Sequence, residues 1–322
     1  MEDRKSPLVS IGHDSSDFLK GIAIFGVLLS HTGRIFTEFS IVLFLVISGF
    51  GLELSYRKKG FAGFWGKKFR NVWLPYFPMA FVALVLRHVT APDEILCTLA
   101  GLDFGRIADK TMWYISYIFA WYAAFFLMGR LTEKFPALPE RSRFALRLAG
   151  AVAAGFLFCL LYNRGVWHEN SGADNYRYAF PLGMILAELT TIRADSRIGK
   201  AGWGIVLLGC AVYVIRVYPR PFHIPTNMAL AMVFVALTQL VPVSGKGFLP
   251  LRTAGRFSFA IYLWEGLLLG SREFFYNLTG SQLWADCGFI AASILFGFLY
   301  WELVFRPGER FLEKKLSERA KG

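Results

Sequence analysis

The sequence predicts an all-α fold, a polytopic transmembrane helical bundle of about ten spans with its N- and C-termini in the cytoplasm. Three observations predict it. Apolar residues make up 55% of the 322 positions and charged residues only 18%, giving a mean hydropathy of +0.44; soluble domains carry more charge and fewer long apolar runs. Runs of the roughly 17–25 residues that a helix needs to cross the hydrocarbon recur along the whole chain. Lys and Arg, finally, gather in alternate connecting segments.

The spans fall at about 18–37, 39–56, 73–90, 111–129, 144–163, 175–192, 200–218, 225–242, 257–272 and 284–305. The sixth carries Arg177 and Glu188, and the ninth carries Glu265. With the N-terminus inside, 26 of the 35 Lys and Arg residues lie on the inner side and nine on the outer. An odd number of spans would scramble that asymmetry. No segment is long or polar enough for a second globular domain, so residues 1–322 read as one integral membrane domain with a short polar N-terminal and a basic C-terminal tail.

The net charge of +12 belongs to basic inner loops and their attraction to anionic lipid rather than to nucleic acid. Cys97, Cys159, Cys210 and Cys287 are scattered without a CxxC pair, which gives neither a disulfide framework nor a metal site. The opening MEDRKSPLVSIGHDSSD is too mixed in charge for a cleavable signal peptide. No internal repeat of the kind that marks many transporters is visible.

Two stretches carry chemistry. In LKGIAIFGVLLSH, Lys20 stands at the inner end of the first span and His31 eleven residues on, roughly 16 Å deeper. An ionisable side chain inside a membrane marks a site by default, although an imidazole can also act as packing glue between helices. Ser48-Gly49-Phe50 on the second span is expected at a similar depth, with Gly49 and Gly51 letting the two backbones approach. In YRKKGFAGFWGKKFRNVWLPYF, the cations Lys67, Lys68 and Arg70 precede Pro75. They fit either the positive-inside signal or a phosphate site, Lys67 and Arg70 lying three apart on one helical face. Trp113, Tyr114, Tyr117, Trp121 and Tyr122 fit a sugar-stacking wall or an interfacial belt with core packing.

Together these features resemble the acyltransferase-3 family of integral membrane acyltransferases. The likeness rests on a basic residue, ten residues and a histidine in LKGIAIFGVLLSH, on SGF late in the second span, and on the basic run into KKFRNVWLPY. MWYISYIFAWY, GRFSFAIYLWEGLLL and WELVFRP continue it, so that it covers about residues 15–312. The resemblance implies transfer of an acyl group, most often acetyl, from cytoplasmic acyl-CoA to a hydroxyl of an envelope carbohydrate or glycolipid. His31 would be the catalytic base and Lys20 its basic partner, with Ser48 a donor to the oxyanion. Lys67, Lys68 and Arg70 would meet the CoA phosphates, Trp113 and Tyr114 the acceptor, and Glu302 would be the acidic residue of the last span. The family more often has Arg at the positions of Lys20 and Lys67, and His where this chain has Glu265. No permanently bound cofactor and no metal is implied; the partners are acyl-CoA, the acceptor and membrane lipid, in a bacterial inner membrane. A transporter or flippase also accounts for many spans and buried acids such as Glu188, Glu265 and Glu302, and a non-catalytic envelope scaffold would keep the same motifs for packing.

Overall fold

The computed structural model describes residues 5–33, 37–168, 171–217, 224–308 and 310. Each of the ten predicted segments coincides with a helix. They are α1 (His13–His31), α2 (Phe39–Lys59), α3 (Phe64–Lys68) running through a π turn into α4 (Leu74–Leu86), α6 (Trp113–Glu133), α7 (Glu140–Tyr162), α8 (Ala179–Leu189), α9 (Ser196–Val217), α10 (Ile224–Leu240), α12 (Ser258–Leu268) and α14 (Gln282–Tyr300). Among the described residues six helical stretches are long and apolar enough to cross a membrane: Phe39–Lys59, Phe64–Leu86, Lys110–Glu133, Glu140–Tyr162, Ser196–Val217 and Gln282–Gly308. The others fall short for visible reasons. Asp14, Asp17 and Lys20 occupy the first two turns of α1, α10 has 17 residues, and α8 and α12 have 11 each. Two short helices lie outside the predicted spans, α5 (Pro92–Ala100) and α11 (Leu249–Arg256), and a third, α13 (Ser271–Thr279), overlaps only the last two residues of the ninth.

The chain forms two compact units, Met1–Ala62 with Ser116–Arg256, and Gly63–Ile115 with Phe257–Gly322. In the first, two pairs of helices approach through reciprocal glycines. A Cβ on Gly21 of α1 would lie 2.0 Å from the Leu251 carbonyl oxygen of α11, and one on Gly255 of α11 would lie 1.8 Å from that of Asp17. Between α2 and α8, a Cβ on Gly49 would lie 2.2 Å from the Phe180 carbonyl oxygen and one on Gly183 would lie 2.1 Å from that of Val46. Such contacts bring backbones close enough for Cα–H···O interactions that any side chain would block. Gly49 therefore serves the α2–α8 contact and not the expected α1–α2 one, while a Cβ added at Gly51 would face open space. A short antiparallel pair, β1 (Lys5–Pro7) with β2 (Arg193–Asp195), joins the N-terminal segment to the connection after α8.

The second unit contains two π turns, Phe69–Trp73 ahead of α4 and Trp301–Phe305 after α14. Each ends two residues before a proline, Pro75 or Pro307. A proline ring clashes with the carbonyl four residues back, here Asn71 or Leu303, and widening the turn by one residue relieves that clash. The sequence motifs KKFRNVWLPY and WELVFRP are thus the same local device used twice.

Candidate functional site

His31 is the last residue of α1, which ends six residues before the predicted limit of the span. The stop is local. Thr32 donates its hydroxyl to the Leu29 carbonyl at 2.7 Å, and Gly33 adopts φ of +73°, a left-handed conformation that closes helices. The chain then folds back, with the Thr37 hydroxyl donating to the Gly26 carbonyl. Ser40 packs on the bare Cα of Gly26, where a Cβ would meet its Oγ at 1.9 Å.

This register separates two residues expected to face each other. His31 lies five residues from Gly26 toward the turn, and Ser48 lies eight residues from Ser40 in the opposite direction. At 1.5 Å per residue they are roughly 20 Å apart along the helices. Ser48 is within hydrogen-bonding reach of the Tyr122 hydroxyl instead. Lys20 sits three helical turns from His31, 3.5 Å from Asp17, which also accepts from Arg256 at 3.3 Å.

At the His31 end of the first unit, Glu38 opens α2 and accepts a hydrogen bond from Asn227 Nδ2 at 3.0 Å. Burial raises its pKa to about 7; the Asn227 bond partly offsets this, and nearby Asp174 adds to it. The folded state thus holds a proton on Glu38 at pH values where the unfolded chain, titrating near 4.5, has lost it. This group's contribution to stability consequently falls as pH rises from about 4.5 to about 7 and is level above that. Glu38→Gln is expected to remove that slope, so the variant gains on the wild type between about pH 5 and about pH 8. Thermal unfolding of both proteins in detergent at the two pH values checks it; parallel profiles would contradict it.

The aromatic residues of α6 in this unit are core. Tyr117 and Trp121 are fully buried, Trp121 stacks on Phe180 at 4.8 Å between ring centres, and Tyr117 donates to the Ala173 carbonyl at 3.0 Å. Trp167, in the segment 163–178, donates its indole N–H to Ser116 at 3.1 Å. Part of that segment therefore packs inward.

At the other end of α2 is a charge network where the sequence pattern suggests only basic loops. Glu53 is completely buried and its Oε1 accepts from Arg57 Nε at 3.0 Å and from Arg147 Nη2 at 2.7 Å. Arg147, with 1% of its side chain exposed, also reaches Glu140 at 3.0 Å and lies over the Tyr56 ring. Arg57 pairs in addition with Glu188. The spacing of Glu53 and Arg57, four apart on a helix, is a readable signal; the third partner, 94 residues away, is not.

In the second unit Lys68 lies over the Phe64 ring at 5.7 Å, and Arg70 Nε donates to Asn71 Oδ1 at 3.4 Å. Lys67 is exposed at the end of α3. Arg70 lines a cavity of about 210 Å³ with Leu74, Pro78 and Val304. Tyr300, whose hydroxyl donates to the Pro75 carbonyl at 2.6 Å, separates it from a second cavity of about 170 Å³. Glu302 accepts from Arg306 on both oxygens, at 2.8 and 3.0 Å, one turn further along the helix. Glu265 is fully buried on α12, one turn beyond Tyr262, the residue whose hydroxyl donates to the Thr111 carbonyl. Trp113 and Tyr114 are half-buried, and the Tyr114 ring meets that of Tyr262 edge to face at 6.0 Å. Asp109, which no sequence motif marks, is buried beside Gly266 and is held by the Thr111 N–H and hydroxyl and by Arg87.

Among the described residues no three His, Cys, Asp or Glu side chains are grouped to hold a metal ion. The family model of acyltransferase-3, described as an acyltransferase domain, matches residues 13–302. No curated protein and no solved structure gives a significant match.

Proposed function

We propose, from the premise that the chain belongs to the acyltransferase-3 family, that it moves an acetyl group from cytoplasmic acetyl-CoA to a hydroxyl of an envelope carbohydrate or glycolipid. The chain is a membrane acyltransferase; donor, acyl group, acceptor and a bacterial inner-membrane location belong to the proposal. The observation that carries it is the family match, whose limits enclose every motif residue from Lys20 to Glu302.

His31 acts as general base in this reading. Its imidazole takes the proton of the acceptor hydroxyl as the oxygen attacks the thioester carbonyl carbon. The C–S bond breaks, and the imidazolium returns the proton to the leaving CoA thiolate. Lys67, Lys68 and Arg70 bind the donor's phosphates, Trp113 and Tyr114 contact the acceptor, and Glu265 and Glu302 supply the acidic groups of this reading. Lys20, paired with Asp17, anchors the inner end of α1.

Ten crossings with both termini cytoplasmic suit the contacts of the first unit. Arg252 with Asp14, at 2.8 Å, and β1 with β2 join segments assigned to the inner side. Glu38 with Asn227 joins segments assigned to the outer side. The transporter reading loses part of its motive, because Glu188 and Glu302 have arginine partners.

Acetyl-CoA binding to the purified protein tests the donor assignment. Lys67→Gln and Arg70→Gln are each expected to weaken it by roughly tenfold or more, the worth of one charge-assisted hydrogen bond. Unchanged affinity in both would return these cations to lipid contact.

A further inference from the structure

We infer that the cavity beside Tyr300 in the second unit is a nucleobase slot that holds the adenine ring of the donor; this rests on the acyl-CoA reading and names the part of the donor that the site recognises. The cavity, about 170 Å³, is lined by Phe259, Tyr300, Trp301 and Phe305 together with Asn71. Four aromatic rings and one primary amide are what a flat heteroaromatic base requires. The rings offer stacking faces, which recognise any base through its π-face, and the amide offers hydrogen bonds to a base edge. Arg70 Nε already donates to Asn71 Oδ1, which leaves the Asn71 Nδ2 hydrogens to donate to a ring nitrogen.

The neighbouring cavity fits the portion of such a donor attached to the base. It shares Pro75, Tyr300 and Phe305 with the slot, Arg70 stands in its wall, and Leu74, Pro78 and Val304 make the rest apolar. A guanidinium next to an aromatic slot suits the phosphates that a nucleotide carries beside its base. The apolar chamber then suits the branched, methyl-bearing start of the pantetheine arm. Local backbone geometry concentrates here as well. Both π turns, Phe69–Trp73 and Trp301–Phe305, contribute residues to these two cavities, and π turns inside α-helices are frequent at functional sites. The widened turns set Asn71 and Trp301 in the wall of one chamber.

Adenosine 3′,5′-bisphosphate, the head of the donor without its arm or thioester, isolates the slot. It is expected to bind the purified protein and to compete with acetyl-CoA. Trp301→Ala should weaken its binding by about fivefold to a hundredfold, the range for losing one base–aromatic stack. Asn71→Ala, at an exposed position that does not endanger folding, should weaken it by about twofold to tenfold. S-acetylpantetheine, which lacks the nucleotide, should bind wild type and both variants alike, which also shows that the variants are folded. Bisphosphate affinity unchanged in both variants, or equal losses for acetylpantetheine, would overturn the slot. If acetyl-CoA binds and the bisphosphate does not, the slot alone fails. If neither binds the wild-type protein, the acyl-CoA reading fails with it.

Discussion

Replacing Arg147 with alanine is expected to destabilise the protein by roughly 3–5 kcal/mol, the usual cost of leaving a buried partner charge behind. Glu53 has no exposed surface, and Arg147 supplies its shortest bond, at 2.7 Å. Arg57 would remain on the same carboxylate oxygen, which sets the effect toward the lower end of that range. The alanine would also lose the stacking over Tyr56, 4.6 Å from the guanidinium carbon to the ring centre. Thermal and chemical unfolding in detergent measure the loss. Removing both charges together, as Glu53→Gln with Arg147→Met, should recover much of it, because an apolar or neutral pair leaves no buried charge uncompensated. A single substitution as stable as wild type would mean that the network does not hold α2 to α7.

Replacing His31 with alanine is expected to lower kcat by about 10²- to 10⁴-fold, the range for losing a positioned general base. Affinity for acetyl-CoA should stay the same, since the cations proposed for the donor's phosphates lie on α3 and the π turn after it. His31 closes α1, where Thr32 and Gly33 make the helix stop, so alanine leaves the capping bonds intact and the fold should tolerate it. A drop in donor affinity matching the drop in rate would assign His31 to binding and not to proton transfer.

Much of the fold is legible in the sequence because it is written in one dimension. Apolar runs of span length give helices wherever they occur, and all ten do. The features that cannot be read this way depend on which surfaces meet. Gly49 announces a close approach, yet only the structure gives α8 as the partner. The end of α1 at His31 follows from Thr32 and Gly33, two residues that an apolar window averages away. That six-residue difference, together with the Ser40–Gly26 contact, displaces Ser48 from His31 by roughly 20 Å. Arg57 and Arg147 are counted among the basic loop residues, but composition does not reveal that they turn inward onto Glu53. Among the candidate residues, Lys67, Arg70, His31 and Glu302 are singled out by motif spacing. Glu38, Asn227, Asp109 and the cavities around Tyr300 are not, because their partners are distant in sequence.

The most direct test of the central claim tracks both halves of the reaction at once. Purified protein in detergent or nanodiscs receives acetyl-CoA labelled in the acetyl group, with envelope glycans as acceptor. One CoA should be released for each acetyl group appearing on a glycan hydroxyl, and both products should form about 10²- to 10⁴-fold more slowly with His31→Ala. Acetylated glycan forming at the wild-type rate in the His31→Ala protein would contradict it.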